Sequence, residues 1–407
     1  MIIMNKYLLE LQKNKNSSVI LSMDLNDTGN ILQLIEQVGE YIIGIKLHND
    51  IIDGFNDKFI NDILNLKKKY NFVIIEDRKF CDIGSIIEYQ SEKIMKYADI
   101  VTVHSVAGQS TIDGLRKNAL LNNCLLLLIA QMSSNNNLID NEYTKKTIEL
   151  ANNNKDIVLG FICQEKLDDK FLHFAPGISN IMVKDGMNQN YNSSINMLNK
   201  GIDFLIIGRS IYNNENPVLA TKSYIPKYNL LMEIINAGIF KKGNFRLKSG
   251  LDTDIYADFR ITNNYPILLK KISIALSELI NFTNLTNKEF VICGVPLGAI
   301  PYSLLISQHL NISHIILRDT KKGYGTNQLI EGKINCKNVI LIEDVITSGS
   351  SIENTIKLLE EADLCVKQII VIFDRESGGL GKLIDSGYNI VSLFKMSDLN
   401  DFLIPTN

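Results

Sequence analysis

An excess of either charge is missing from this chain, whose 407 residues carry a formal net charge of −3. Before Tyr224, 23 basic residues stand against 26 acidic ones, and after it 19 stand against 19. Neither half has the basic surplus of a nucleic-acid binder. Cysteine is thin as well: Cys81, Cys124, Cys163, Cys293, Cys336 and Cys365 are scattered, with no pair at metal-ligand spacing. This pattern predicts reduced, mostly buried thiols in a cytoplasmic protein, with Cys81 as a small packing residue. The start Met1-Ile2-Ile3-Met4 is too short an apolar run for a signal or a membrane span, and the end Ile404-Pro405-Thr406-Asn407 is no peroxisomal address. Tryptophan is absent altogether, which decides nothing.

What remains is an ordinary globular composition, 45% hydrophobic and 21% charged, in a chain long enough for two cores. Eight short apolar runs recur before residue 215: Val19 to Leu25, Ile42 to Leu47, Phe72 to Ile75, Ile100 to Val103, Leu125 to Ala130, Ile157 to Ile162, Leu172 to Phe174 and Phe204 to Ile207. Stretches of helix length separate most of them. Runs without strict alternation suit parallel strands covered on both faces. Eight such units predict a (β/α)8 TIM barrel, and periodicity alone leaves an open doubly wound sheet as the alternative.

In a barrel, the residues at the C-terminal ends of the runs gather at one mouth. They are Asp24, Lys46 and His48, Asp77 with Lys79 and Asp82, His104, Gln131 with Ser133, Pro176-Gly177, and Gly208-Arg209. Each has an ordinary reading too: Asp24 as a helix cap, Lys46 as a snorkelling lysine, His104 as a core histidine, Ser133 as a loop hydroxyl. The densest stretch is Asp77-Arg78-Lys79-Phe80-Cys81-Asp82, expected where the third strand opens into a loop. In extended geometry Asp77 and Lys79 share a face, and Asp82 lies past the turn. Gly208-Arg209-Ser210 follows the eighth run, where barrels bind phosphate through backbone N–H groups and a basic side chain.

Leu21-Ser22-Met23-Asp24, Ile45-Lys46-Leu47-His48, Glu76 to Gly84 and Ile206-Ile207-Gly208-Arg209 resemble, in order and spacing, segments of orotidine 5'-monophosphate decarboxylase, over about residues 15 to 222. The resemblance implies that Asp24 and Lys46 contact the ribose and anchor a charge network, and that Lys79 protonates C6 of the pyrimidine. Asp77 and Asp82 complete an alternating array, Asp82 coming from the neighbouring subunit. Ser133 reaches the pyrimidine, Gln189 the phosphate end, and Tyr191 with Gly208-Arg209 closes on the phosphate. No cofactor takes part in such a decarboxylation, so stabilisation of the C6 carbanion is electrostatic. A related reading, the metal-dependent sugar-phosphate decarboxylases with an Asp-x-Lys-x-x-Asp element, is the alternative for this half.

The pattern loosens from Tyr212 to Pro217, and a joint near residue 225 is expected, giving domains 1–225 and 226–407. The second half holds the thirteen-residue run Val339-Ile340-Leu341-Ile342-Glu343-Asp344-Val345-Ile346-Thr347-Ser348-Gly349-Ser350-Ser351. An apolar strand ends in two acids, and a loop of hydroxyls and glycine then opens a helix. That loop is a nest for one phosphate, although the Gly-Lys-Ser/Thr element of a Walker loop is missing. The acids are placed to hold ribose hydroxyls.

This run resembles the 5-phosphoribosyl 1-diphosphate (PRPP) motif of type I phosphoribosyltransferases, which implies a Rossmann-like α/β domain. Leu247-Lys248-Ser249-Gly250, Ile255-Tyr256-Ala257-Asp258-Phe259-Arg260, Cys293-Gly294-Val295-Pro296, Lys322-Gly323-Tyr324-Gly325 and Asp374-Arg375-Glu376 are similar to orotate phosphoribosyltransferase in particular. The resemblance implies Glu343 and Asp344 on the ribose, Thr347, Ser348, Gly349, Ser350 and Ser351 on the 5'-phosphate, and Lys248, Arg375 and Tyr256 about the substrates. Arg318, Lys322 and Tyr324 would belong to a mobile loop that covers the diphosphate from the partner subunit. The chain departs from the family at Asp319, where a lysine is frequent, and at Leu297-Gly298-Ala299. Mg2+ is implied with PRPP, carried by its phosphates and not by a protein cage.

Joined, the resemblances imply a bifunctional enzyme of UMP synthesis whose partners are orotate, PRPP, orotidine 5'-monophosphate and UMP, with no nucleic acid and no membrane. Sites completed across subunits imply a homo-oligomer, a dimer or tetramer. From another class, the second half is readable as a non-catalytic PRPP-sensing or RNA-binding module.

Overall fold

The computed structural model describes residues 2–180, 192–246, 252–281, 289–318, 329–332 and 336–403. It divides into two compact units, Met1–Asn229 and Leu230–Asn407. The division falls inside a helix, Pro226–Asn236, just past the expected joint.

The first unit is a closed barrel of eight parallel strands: β1 (Val19–Ser22), β2 (Gly44–Leu47), β3 (Val73–Phe80), β4 (Ile100–His104), β5 (Leu125–Ile129), β6 (Val158–Ile162), β7 (Leu172–Ala175) and β8 (Phe204–Ile207). Each apolar run of the sequence supplies one strand. Closure comes from β1 lying on β8, with Val19 opposite Leu205 and Leu21 opposite Ile207. The open doubly wound alternative is thereby excluded.

Alternation along the strands sorts side chains into two cores. Val73, Ile75 and Ile100 pack inside the barrel with Leu8 and Leu11 of the first helix, Ile2–Lys15. Ile74, Val101 and Val103 face outward and pack with residues of the surrounding helices, such as Ile31, Ile63 and Leu115. Inward residues near the C-terminal strand ends therefore reach the mouth.

One strand departs from expectation. β3 does not end at Ile75 but runs on to Phe80. Glu76 is paired with Val101 and Phe80 with Val103, so β3 takes four steps where β4 takes two. The irregularity is a bulge, which bends a strand and re-aims its side chains. Lys79 sits in it with φ +50°, a left-handed conformation that costs a non-glycine residue roughly 1–2 kcal/mol.

The second unit holds an antiparallel pair, β9 (Phe240–Arg246) and β10 (Asp252–Ala257), and a six-stranded sheet. The sheet is built from β11 (Phe290–Gly294), β12 (Ser313–Leu317), β13 (Ile330–Glu331), β14 (Asn338–Ile346), β15 (Cys365–Asp374) and β16 (Ile390–Lys395), in the order β13-β12-β11-β14-β15-β16. All neighbours are parallel except β12 and β13. β14 leads through a short loop into helix Ser350–Glu361, as the thirteen-residue run predicts. Among the described residues no helix is long and apolar enough to cross a membrane.

Candidate active site

A cavity of about 530 Å³ opens at the mouth of the barrel. Asp24, Lys46, Asp77, Lys79, Ser133, Gly208 and Arg209 all line it. Topology alone brings them together, since they come from the ends of β1, β2, β3, β5 and β8. Gln189 and Tyr191 lie outside the described residues.

Asp77 is the centre of the arrangement. Its Oδ2 lies 2.8 Å from the Lys46 ammonium and 2.8 Å from the Lys79 ammonium. Lys46 also lies 3.6 Å from Asp24 Oδ1, which accepts a 2.8 Å hydrogen bond from Ser22. The result is an alternating row: Asp24, Lys46, Asp77, Lys79. Asp77 and Lys46 are buried, whereas the Lys79 side chain is 38% exposed at the cavity. Burial pushes the Asp77 carboxyl up, yet the two ammoniums outweigh it and hold the group well below the usual carboxylate range.

His48 lines the same wall, with Nε2 2.9 Å from Lys46 Nζ and 3.3 Å from Asp77 Oδ2. Burial and then the Lys46 charge lower its pKa, so the ring is neutral beside the ammonium. Thr102 on β4 is buried; its hydroxyl donates to Asp77 Oδ1 at 2.7 Å and accepts from the Lys79 N–H at 3.0 Å. Glu76 faces away from the cavity. Its carboxylate accepts from the Asn49 N–H and from the Tyr97 hydroxyl, each at 2.9 Å. Burial raises its pKa to about 7.

Asp82 stands apart from this row. Its carboxylate accepts from the Ile83 N–H and from Gln90, and it does not line the cavity. Beside it, Ile83, Ile86 and Tyr89 expose 52%, 53% and 73% of their surface. Cys81 is exposed, not packed, because β3 ends at Phe80 and Cys81 is the first residue beyond it. Cys124, Cys163 and Cys293 are buried as expected, while Cys336 is half-buried and Cys365 exposed. Gln131 bonds Glu165 and the Gln164 N–H and does not line the cavity, and His104 is half-buried outside it. Ser134, Ser179, Asn213 and Asn214, which the sequence did not single out, complete the wall.

The second unit has a hollow of about 160 Å³ lined by Glu343 and by Thr347, Ser348, Gly349, Ser350 and Ser351. Gly349 takes φ +83° immediately before the helix, which turns the loop into an open cup. The Ser348 and Ser350 hydroxyls lie 2.9 Å apart on it. Glu343 accepts from the Asp344 N–H at 3.0 Å. Gly298 passes so close to Asp344 that a Cβ there would stand 2.1 Å from Oδ2.

Arg375 follows β15, nearly buried, and donates to Thr253 Oγ1 at 2.5 Å. Burial lowers its pKa and Asp254 opposes the change. Tyr256 packs on Phe245, with ring centroids 5.4 Å apart, and its hydroxyl accepts a 3.4 Å hydrogen bond from the Arg260 guanidinium. Arg318 is the first residue after β12; it donates its N–H to Leu329 O and pairs with Glu331 at 2.5 Å, because β13 returns antiparallel beside it. Lys248, Lys322 and Tyr324, like Asp319, lie outside the described residues.

Comparison with known proteins gives two matches along the chain. Residues 17–224 match the family described as orotidine 5'-phosphate decarboxylase / HUMPS. Residues 264–395 match the phosphoribosyl transferase domain. The orotidine 5'-phosphate decarboxylase of Rhizomucor pusillus is 36% identical over 222 residues, covering 52% of this chain and 84% of that protein. The enzyme of the same name from Schizosaccharomyces pombe is 35% identical over 228 residues, covering 54% and 86%. A structure of Leishmania donovani UMP synthase aligns over 97% of this chain and 93% of its own, with a TM-score of 0.54 and 18% identity, a likeness of fold.

Proposed function

Because the chain belongs to the orotidine 5'-phosphate decarboxylase / HUMPS family and also carries a phosphoribosyl transferase domain, we propose that it performs two successive steps to UMP. The second unit joins orotate to PRPP, giving orotidine 5'-monophosphate and diphosphate. The barrel then removes CO2 from that product. The observation that carries the reading is the single Asp77 oxygen held by both Lys46 and Lys79.

In the decarboxylation the bond from C6 to the carboxylate carbon breaks and its electron pair stays on C6. Lys79 stands over that charge as an ammonium and then delivers a proton to C6, leaving UMP. Asp77 holds both ammoniums in place without reorganisation in the reaction. Lys46 and Asp24 take the ribose, Ser133 the pyrimidine, and Gly208 with Arg209 the phosphate. Gln189 and Tyr191 belong to the phosphate end. The phosphate, remote from C6, supplies binding energy that is used at the reacting centre. Asp82, set among exposed apolar side chains, completes the site of a second copy, which makes the protein a homo-oligomer.

A metal-dependent sugar-phosphate chemistry fits poorly. The central carboxylate oxygen already faces two ammoniums, and a divalent ion there would meet both at close range.

In the transferase step the C1'–oxygen bond of PRPP breaks, its electron pair leaving with diphosphate, and the orotate ring nitrogen bonds C1' as its N–H proton passes to solvent. Glu343 and Asp344 hold the ribose hydroxyls, and the cup from Thr347 to Ser351 holds the 5'-phosphate. Arg375 and Lys248 take orotate, near Tyr256. Lys322 and Tyr324 reach toward the diphosphate; Arg318, fixed on Glu331, anchors the strand before them. Mg2+ would enter this site as a companion of PRPP, with Glu343 the acid that lines the cup. When bound, it neutralises the leaving diphosphate. Six free cysteines support a reducing, cytoplasmic setting.

The test is a time course with orotate, PRPP and Mg2+, following orotate, orotidine 5'-monophosphate and UMP together. UMP should appear as orotate disappears. A chelator should stop the first step and spare the second. Orotate loss without UMP would refute the barrel's role; no orotate loss would refute the transferase role, with the barrel then judged on the intermediate alone.

A further inference from the structure

The bulge in β3 sets a problem that the row of charges does not solve. Between Glu76 and Phe80 the strand has outrun β4, and Lys79 has left the ladder with φ +50°. Its backbone N–H needs another acceptor, and its conformation needs something to hold it. Both needs are met by one atom of the neighbouring strand, the hydroxyl of Thr102.

The direction of the two hydrogen bonds is fixed by chemistry. Asp77 is ionised and accepts only, so the one hydroxyl hydrogen of Thr102 points to Asp77 Oδ1 at 2.7 Å. The oxygen lone pair is then left for the Lys79 N–H at 3.0 Å. Thr102 thereby occupies Oδ1 and leaves Oδ2 to the two ammoniums. With Oδ1 vacated, either lysine gains a second place to bind, and the row loses its single geometry. Thr102 itself is fully buried and does not line the cavity, so it acts through its neighbours.

We propose that Thr102 is a positioning residue for decarboxylation: its hydroxyl ties the backbone of Lys79 to the carboxylate of Asp77 and so sets where the proton donor points. The proposal rests on the decarboxylase reading above. Its test compares Thr102→Val, which keeps the shape and removes the hydroxyl, with Thr102→Ser, which keeps the hydroxyl. Both are made in the full chain, and transferase activity of the same protein reports on recovery.

Removing a hydrogen bond to a charged group leads us to expect the valine variant to lose between about 10- and 100-fold in kcat for orotidine 5'-monophosphate. Its affinity for UMP should stay within about threefold of wild type, and the serine variant should regain most of the rate. Thr102→Ala, which removes the hydroxyl without placing a methyl against Asp77, should reproduce the valine loss. A valine or alanine variant turning over within about threefold of wild type overturns the proposal. So does a loss of kcat and UMP affinity together that serine does not rescue, since that marks damage to packing alone. Wild-type protein that releases no CO2 from orotidine 5'-monophosphate would instead sink the decarboxylase reading.

Discussion

Replacing Glu76 by glutamine should change how the barrel's stability depends on pH, by an amount that follows from its surroundings. Glu76 is fully buried on the outer face of β3, bonded by the Asn49 N–H and the Tyr97 hydroxyl. Burial dominates these bonds and raises the carboxyl from 4.5 to about 7. A change of that size separates the two protonation states by roughly 3 kcal/mol. The folded protein binds this proton more tightly than the unfolded chain does. Stability from it is therefore full below about pH 4.5 and is lost as pH rises through about 7. Tyr97 can follow the change, because its hydroxyl donates to the carboxylate and accepts from the protonated acid.

Glutamine carries no titrating proton and removes this slope. Urea unfolding of wild type and Glu76→Gln should be compared from about pH 5 to pH 8, with the barrel transition recognised by its shift with UMP. Over that range wild type should lose about 2.5 kcal/mol relative to the variant. Parallel curves would refute the reasoning and show that Glu76 is ionised throughout.

Lys79→Ala should lose decarboxylation by several orders of magnitude while binding UMP and keeping transferase activity; retention of more than about a tenth of the wild-type rate, a loss under about 1.4 kcal/mol, would remove Lys79 from its role. Lys79→Ala and Asp82→Ala, each inactive alone, should regain decarboxylation when co-expressed, because a mixed pair holds one intact site. No recovery would place Asp82 in the site of its own chain. Gly298→Ala should lower transferase turnover at least tenfold with decarboxylation unchanged, since the new Cβ would stand 2.1 Å from Asp344 Oδ2; a normal rate would mean that Asp344 moves aside freely.

The strands of the barrel were legible because each is an apolar run bounded by polar segments. Closure was not, because it depends on Val19 meeting Leu205, a pairing that no local pattern records. Residues at or just past the strand ends, such as Asp24, Lys46 and Arg209, were legible by position, and the barrel gathers them at one cavity. The end of β3 at Phe80 was not legible, because charges inside a strand look like a loop when only hydrophobicity is followed. Thr102 left no signal, since a β-branched residue in an apolar run is ordinary strand filling. Glu76 sits beside Asp77 in sequence, and only the alternation of a strand shows that the two face opposite sides. Arg318 stands near Lys322 along the chain, and only the return of β13 shows that its side chain pairs with Glu331.

The contact of β1 with β8 also sets an order in time. The first strand has no partner on one side until the chain has been made as far as Ile207, about 185 residues later. Pairings so distant in sequence form slowly, and until then both edges of the growing sheet offer unpaired backbone to other chains. A ribosome that stalls anywhere short of β8 releases a sticky open sheet, whereas one that passes it leaves the first unit able to close while the second is still being synthesised.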